Sequence, residues 1–394
     1  MPVRPELLAM AAEMQLWRRH LHARPEIAYE EHETADFVAR LLADWGIEVH
    51  RGLAVTGVVG TLKAGTGKHA IGLRADMDAL KIEERNDFEH RSRVPGKMHA
   101  CGHDGHTTML LGAARHLART RQFDGTIHFI FQPAEENEAG ARRMVQEGLF
   151  ERFPVDAVYG MHNMPFLPEG QIAVRPGPVM ASSDFFEITV NGKGAHGAWP
   201  HTGIDAIGIA SELVLAFNHI TARTVNPLDS AVISVTQFHA GHANNVIPES
   251  TKLSGTTRAF STALQDHIES SMRRVCEGLG AAYRAKIDFN YQRRYPPTIN
   301  HPEQTEFAAQ VATGVVGPSN VLRDEPPVMG AEDFAWMLLE KPGSYVWIGN
   351  GPQHQGGSML HNPTYDFNDR ILPIGASYWV ELAERWLSPH ATHR

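Results

Sequence analysis

The sequence predicts an α/β protein, a doubly covered and largely parallel sheet with a ferredoxin-like α+β domain inserted into it. Three observations predict it. Apolar runs of strand length alternate with helix-period segments from Phe37 to Gly160. Between Asp184 and Tyr291 the order changes to β-α-β-β-α-β, the ferredoxin-like series. The first pattern resumes after Pro296-Pro297, and at 394 residues the chain is longer than one core usually serves. Residues 1–183 and 296–394 are therefore expected to form one discontinuous domain, and residues 184–295 a second.

Taken in order, Phe37, Val38, Leu41, Leu42 and Trp45 recur at helical spacing and stop at Gly46, which reads as a C-terminal cap. Strands are expected at Gly57–Gly60 and Ala70–Leu73, then a helix from Thr107, a strand at Thr126–Phe131, a helix from Ala139 to Phe150 and a strand at Ala157–Gly160. The inserted segment reads as strand Phe185–Val190, helix Ile204–Ile220, strands Ala231–Phe238 and Thr251–Phe260, helix Leu264–Tyr283 and strand Ala285–Tyr291. Helices Glu303–Gly314 and Ala331–Leu339, strand Ser344–Ile348 and helix Ile374–Leu387 complete the chain.

Composition narrows the function class. Hydrophobic content of 42% with 21% charged residues is that of a soluble globular protein. A formal net charge of -9 argues against nucleic acid or an anionic membrane as the main partner. No apolar run approaches about 18 residues, and Met1–Arg19 lacks a signal-peptide apolar core, so a cytoplasmic location is expected. Two cysteines give no disulfide framework, and Cys276 reads as core or interface.

The nine residues from Met98 to His106 place Cys101, His99, His103 and His106 in one glycine-flexed turn. Cys101 and His103 are two apart, a spacing that lets both reach one ion or two adjacent ions. Cys101 would precede a helix N-terminus, where the dipole favours thiolate. Ligands in parallel sheets gather at the C-terminal ends of strands. At those ends the sequence sets Arg74-Ala75-Asp76-Met77-Asp78, Gln132-Pro133-Ala134-Glu135-Glu136 and Met161-His162-Asn163. This mixed sulfur, nitrogen and oxygen set suits a pair of borderline divalent ions. Adjacent Glu135 and Glu136 would be costly beside a dry site unless a cation offsets one charge, so one is expected to be a ligand and the other a general base.

Other features read as ordinary structure. His20, His22, His116, His128, His390 and His393 have no partner at ligand spacing. Gly65-Thr66-Gly67-Lys68 lacks the earlier glycine and the following hydroxyl of a phosphate loop, and Ser182-Ser183 lacks a nucleophile elbow.

Seven segments, MHACGHDGH, QPAEEN, GMHN, NGKGAHGAWPHTGIDAI, NNVIPES, MGAEDF and LHNPTYDFND, occur in that order over nearly the whole chain. Together they closely resemble the di-metal amidohydrolases of the hippurate hydrolase, N-acyl-amino-acid amidohydrolase and auxin-conjugate hydrolase group, within the aminoacylase and carboxypeptidase-G-type metallopeptidases. The resemblance implies Cys101, His103, Glu136, His162 and His361 as metal ligands and Glu135 as the base. It also implies two divalent ions per subunit, zinc or manganese with cobalt or nickel as substitutes, and an inserted lid that makes a homodimer or tetramer. The wider superfamily carries a histidine ligand two residues before the aspartate matching Asp76. Arg74 stands there, so both are left outside the metal set.

The expected reaction is hydrolysis of the amide of an N-acyl or N-aroyl amino acid. An N-acetyl-amino-acid deacetylase or a dipeptidase would use the same fold, and a non-catalytic metal-binding scaffold is the alternative from another class. In the lid, His196, Asn244, Asn245 and Arg258 are candidate donors to the oxyanion or the substrate carboxylate. His196 is expected to complete the site of the neighbouring subunit.

Overall fold

The structure is a computed structural model that describes residues 3–136, 138–352 and 358–388. His390 and His393 lie outside them. The chain divides into two compact units, one of residues 1–177, 299–326 and 336–394, the other of 178–298 and 327–335. The sequence places these boundaries at 183/184 and 295/296, and it carries no signal for the return of residues 327–335 to the second unit.

In chain order the main strands are β1 Glu48–Leu53, β2 Gly57–Ala64, β3 Ala70–Asp76, β4 Gly125–Gln132, β5 Ala157–Met164, β6 Ile172–Ala173, β7 Ser183–Asn191, β8 Ala231–Ala240, β9 Ser250–Ala259, β10 Lys286–Tyr295, β11 Val321–Leu322 and β12 Gly343–Gly349. The principal helices are α1 Ala11–His22, α2 His32–Asp44, α3 His103–Thr120, α4 Ala206–Arg223, α5 Thr262–Tyr283, α6 Pro302–Val316 and α7 Leu372–Trp386.

The first unit holds an eight-stranded mixed sheet in the order β1-β2-β4-β3-β5-β12-β6-β11. Its middle is parallel, β3 pairing with β4 and β5, and β12 with β5. These strands are buried along nearly their whole length, which is why they read as continuous apolar runs rather than alternating ones. Leu110, Leu111, Ala113, Ala114 and Leu117 of α3 join Trp379, Val380, Leu382 and Ala383 of α7 in the same core. Helix α2 ends before Gly46, whose φ of 72° is the left-handed turn that glycine makes at least cost. Where one helix is expected from Ala139 to Phe150 there are two, Gly140–Gln146 and Leu149–Arg152, because Gly148 turns left-handed (φ 90°) between them.

The second unit is a four-stranded antiparallel sheet in the order β8-β9-β7-β10. With α4 between β7 and β8 and α5 between β9 and β10, this is the ferredoxin-like order. Asp205 and Ser261 cap the two helices by accepting backbone N–H bonds from Ile207 and Leu264. Phe186, Ile188 and Val190 pack on Ile209, Leu213 and Phe217 to make a separate core, and Cys276 is buried within it.

Candidate metal centre

Helix α3 begins at His103, four residues before the expected start, because Gly102 takes φ 92° and serves as its N-cap. A side chain there would also collide, since a Cβ at Gly102 would lie 2.3 Å from Asn163 Oδ1 and 2.6 Å from Tyr365 OH. The turn therefore needs glycine twice over, for its conformation and for its space. It sets Cys101 and His103 against the end of β5, where Cys101 Sγ lies 3.4 Å from His162 Nε2.

Each imidazole is oriented by its other nitrogen. His103 Nδ1 donates to the Asp78 carbonyl at 2.9 Å, and its buried Nε2 makes no hydrogen bond. His162 Nδ1 donates to the Asn163 carbonyl at 2.7 Å, turning Nε2 toward Cys101. A fixed donor on one side that aims the other nitrogen into the site is the arrangement of a metal-binding histidine. His361 stands at φ 62°, unusual for a residue with a side chain. Its N–H bonds the Ala100 carbonyl at 2.8 Å, and its Nε2 lies 3.2 Å from Glu136 Oε1.

The donor atoms form overlapping groups, each within 4.8 Å: Cys101, His103 and His162 in one, Cys101, Glu136 and His361 in another, and His103, Glu135 and Glu136 in a third. Cys101, His103, Glu135, Glu136, His162 and His361 are thus brought together, and Cys101 belongs to two of the groups.

Electrostatics favours a cation in this place. Burial, and then the Glu136 and Glu135 carboxylates, push the Cys101 thiol well above its ordinary value. This corrects the expectation that a helix terminus would favour thiolate: one partial charge is outweighed by two full ones and by loss of water. A divalent ion reverses that balance, since coordination deprotonates a thiol. Burial opposes a charge on His103, yet the Asp76 and Asp78 carboxylates outweigh it and raise the imidazole to about 10, so an ion must displace that proton. Burial and the neighbouring His106 hold His162 well below its usual value, leaving it neutral, the ligand form. The donor set and the buried His103 Nε2, which makes no hydrogen bond, fit borderline divalent ions.

Sequence reasoning missed the supporting groups. Asp78 accepts the backbone N–H of Glu135 at 3.0 Å and of Glu136 at 2.9 Å, so one carboxylate holds the turn that carries both glutamates. It lies two residues past the end of β3, in the strand-end run from Arg74 to Asp78 already marked as a source of donors, but its backbone contacts have no signal in the sequence. Asp76, left outside the metal set, ion-pairs with Arg74 at 2.8 Å and accepts from His106 Nδ1 at 2.6 Å. His106 Nε2 in turn accepts the Asn163 N–H at 3.0 Å. Asp104 bonds His22 Nδ1 at 2.8 Å beside buried Arg18, so His22 is a satisfied core histidine, as expected.

The second unit contains the other candidates. His196 is exposed, its Nδ1 accepts the Ala198 N–H at 3.1 Å, and its ring lies 4.8 Å from that of Trp199. It pairs with Val246 across a two-residue ladder. A cavity of about 750 Å³ is lined by His196, His239, His242, Asn245, Glu249 and Lys252. Asn244 and Arg258 do not line it. Arg258 donates instead to the Thr257 carbonyl at 2.9 Å and to Thr256 Oγ1.

A mixed α/β unit that gathers sulfur, nitrogen and carboxylate donors around its strand ends and one helix start has the make-up of a metallohydrolase. The chain belongs to the peptidase family M20/M25/M40, whose model matches residues 72–385. It is 40% identical over 383 residues to the hippurate hydrolase of Campylobacter jejuni, covering 97% of this chain and 99% of that one. It is 38% identical over 371 residues to the N-acetylcysteine deacetylase of Bacillus subtilis, covering 93% and 94%. Among solved structures, the YXEP protein of Bacillus subtilis, a dinuclear metal binding peptidase of the M20 family, superposes with a TM-score of 0.83 at 34% identity, covering 96% and 99%. No helix among the described residues is long and apolar enough to cross a membrane.

Proposed function

We propose that the protein hydrolyses the amide bond of N-acyl and N-aroyl amino acids, hippurate-like substrates included, to a carboxylate and a free amino acid. The observation that carries this reading is the overlap of the two donor groups on Cys101, with Glu135 beside them. In it, Cys101, His103, Glu136, His162 and His361 would hold two divalent ions, with Cys101 within reach of both donor groups. Thiolate and imidazole favour zinc, and the carboxylate admits manganese, with cobalt or nickel as substitutes. Such ions would polarise the scissile carbonyl and acidify water.

The chain's own residues do the rest. Glu135, on a turn held by Asp78, takes a proton from water and returns it to the departing amine. His196 donates to the oxyanion, and Asn245 in the same cavity orients the substrate. Asn244 and Arg258, which do not line that cavity, are proposed as further contacts to the substrate carboxylate. The inserted unit serves as lid and dimer surface, with His196 completing the partner's site. Two free cysteines support a reducing compartment, the cytoplasm.

A purified-enzyme screen of N-benzoylglycine, N-acetyl amino acids and dipeptides tests the reading. Release of benzoate and glycine, abolished by chelation and restored by zinc or manganese, is the expected result. Cleavage of dipeptides or acetyl amino acids alone would move the assignment to the dipeptidase or deacetylase. Full activity in metal-free protein would refute the site, and metal binding without any hydrolysis would leave only a scaffold.

A further inference from the structure

We infer that Glu31 is a positioning residue for the base, holding together with Asp78 the turn that carries Glu135. Glu31 is fully buried and outside the metal set. Its Oε1 accepts the Ala134 N–H at 2.8 Å, and its Oε2 accepts the Thr56 hydroxyl at 2.6 Å. No ion pair forms with it among the described residues.

What it bridges is unusual backbone. Ala134, immediately before the base, stands at φ 56°. Thr56 closes the three-residue turn between β1 and β2, in which Ala54 and Val55 stand at φ 48° and 74°. A β-branched residue at positive φ is an outlier that persists only where its surroundings over-determine it, and such strain concentrates at functional sites. One carboxyl group thus joins two strained turns, and the second of them presents Glu135.

The turn is fixed elsewhere too. Gly140 N–H bonds the Ala134 carbonyl at 2.9 Å, and a Cβ at Gly140 would lie 1.8 Å from the Pro133 carbonyl oxygen. Asp78 holds the N–H groups of residues 135 and 136, which leaves the N–H of Ala134 to Glu31. Loss of that bond frees the N–H side of the Ala134 peptide at a strained position, while its carbonyl stays bound to Gly140, so the base one residue on loses part of its alignment. Burial and the nearby Asp78 carboxylate push the Glu31 carboxyl up to about 7, so an uncharged group of the same shape suits the site.

The inference rests on Glu135 being the base, and the experiment separates the two. Glu31→Gln, Glu31→Asp, Glu31→Ala and Glu135→Gln are compared in metal-loaded full-length protein on N-benzoylglycine, with kcat, KM and bound metal measured for each. Loss of alignment of a reacting group lowers kcat by about 10- to 100-fold. That loss is expected for Glu31→Ala and for Glu31→Asp, which is a methylene too short to reach Ala134, with KM and metal content close to wild type. Glu31→Gln should retain most of the turnover, because its amide oxygen accepts the same N–H and its amide nitrogen donates to Thr56. If Glu31→Ala fails to fold, the order of Gln above Asp decides alone. Wild-type kcat in the Asp variant, a Gln variant as impaired as Asp, or metal loss in step with kcat would overturn the positioning role. An active Glu135→Gln would instead overturn the assignment of the base.

Discussion

The two groups of candidate residues are held in opposite ways. In the first unit Cys101, His103, Glu135 and His162 are buried, and each sits on backbone or side chain that a second buried group constrains, while the exposed His361 is tied by its N–H to the buried Ala100 carbonyl. In the second unit His196, Asn244 and Asn245 are exposed, and what fixes His196 is its own turn and a ladder of two residue pairs. The difference teaches where each kind of substitution will be felt. Charge and ions require fixed, water-poor geometry, since reorganisation there would be costly. Substrate recognition tolerates exposed groups that become ordered on binding.

Five outcomes would break or sharpen that contrast, from the largest effect down. Glu135→Gln should lower turnover by roughly two to four orders of magnitude, the worth of a positioned base. Steady-state kinetics on N-benzoylglycine would show it, and a loss under tenfold would remove Glu135 from the reaction. His196→Ala should cost about 10²- to 10³-fold in kcat, as for one oxyanion donor, while metal content and melting temperature stay at wild-type values. A fall in either would show that the lid histidine is structural. Mixing inactive Glu135→Gln and His196→Ala chains sharpens this further: if each His196 serves its partner, random dimers recover about a quarter of wild-type activity, and if it serves its own chain they stay inactive.

Asp78→Asn should weaken metal affinity by about 10- to 100-fold, as partners of ligating histidines do, because Asp78 touches His103 and both glutamate N–H groups. Competition with a chromogenic chelator measures it. The smallest effect concerns stability. Burial opposes a charge on His22, but Asp104 and Glu84 outweigh it and raise the imidazole to about 9. A raised histidine stabilises the fold fully below its unfolded value near 6.5 and loses that contribution as pH rises through 9. Its worth is at most about 3 kcal/mol. Melting temperature should therefore fall between pH 6.5 and 9, and the fall should flatten in Asp104→Asn. An unchanged slope would show that His22 is neutral in the fold.

Much of this was legible in the sequence, for physical reasons that differ by element. Strands β3, β4 and β5 announce themselves because central parallel strands are apolar on both faces, and their ends carry Asp76, Glu135 and His162 by the same geometry. The insert shows as a change of period. Short β1 does not, since Glu48-Val49-His50-Arg51 is a half-exposed edge with little apolar signal. Helix α3 was expected to begin late because its first turn, His103-Asp104-Gly105-His106, is polar by composition and buried by tertiary contacts. The state of Cys101 could not be read from its helix, because the carboxylates that raise it come from residues 34 and 35 positions away in sequence. Glu31 carries no signal in the sequence, because its burial arises from two turns that meet it only in the fold.

Counting metal most directly tests the central claim, that Glu136 is a ligand and Glu135 a base beside two ions sharing Cys101. Elemental analysis of wild type, Glu135→Gln, Glu136→Gln and Cys101→Ser, each loaded with zinc and freed of excess, gives metal per chain. The account predicts two ions in wild type and in Glu135→Gln, fewer in Glu136→Gln and the fewest in Cys101→Ser. Equal loss in the two glutamine variants, or two ions retained without Cys101, would contradict it.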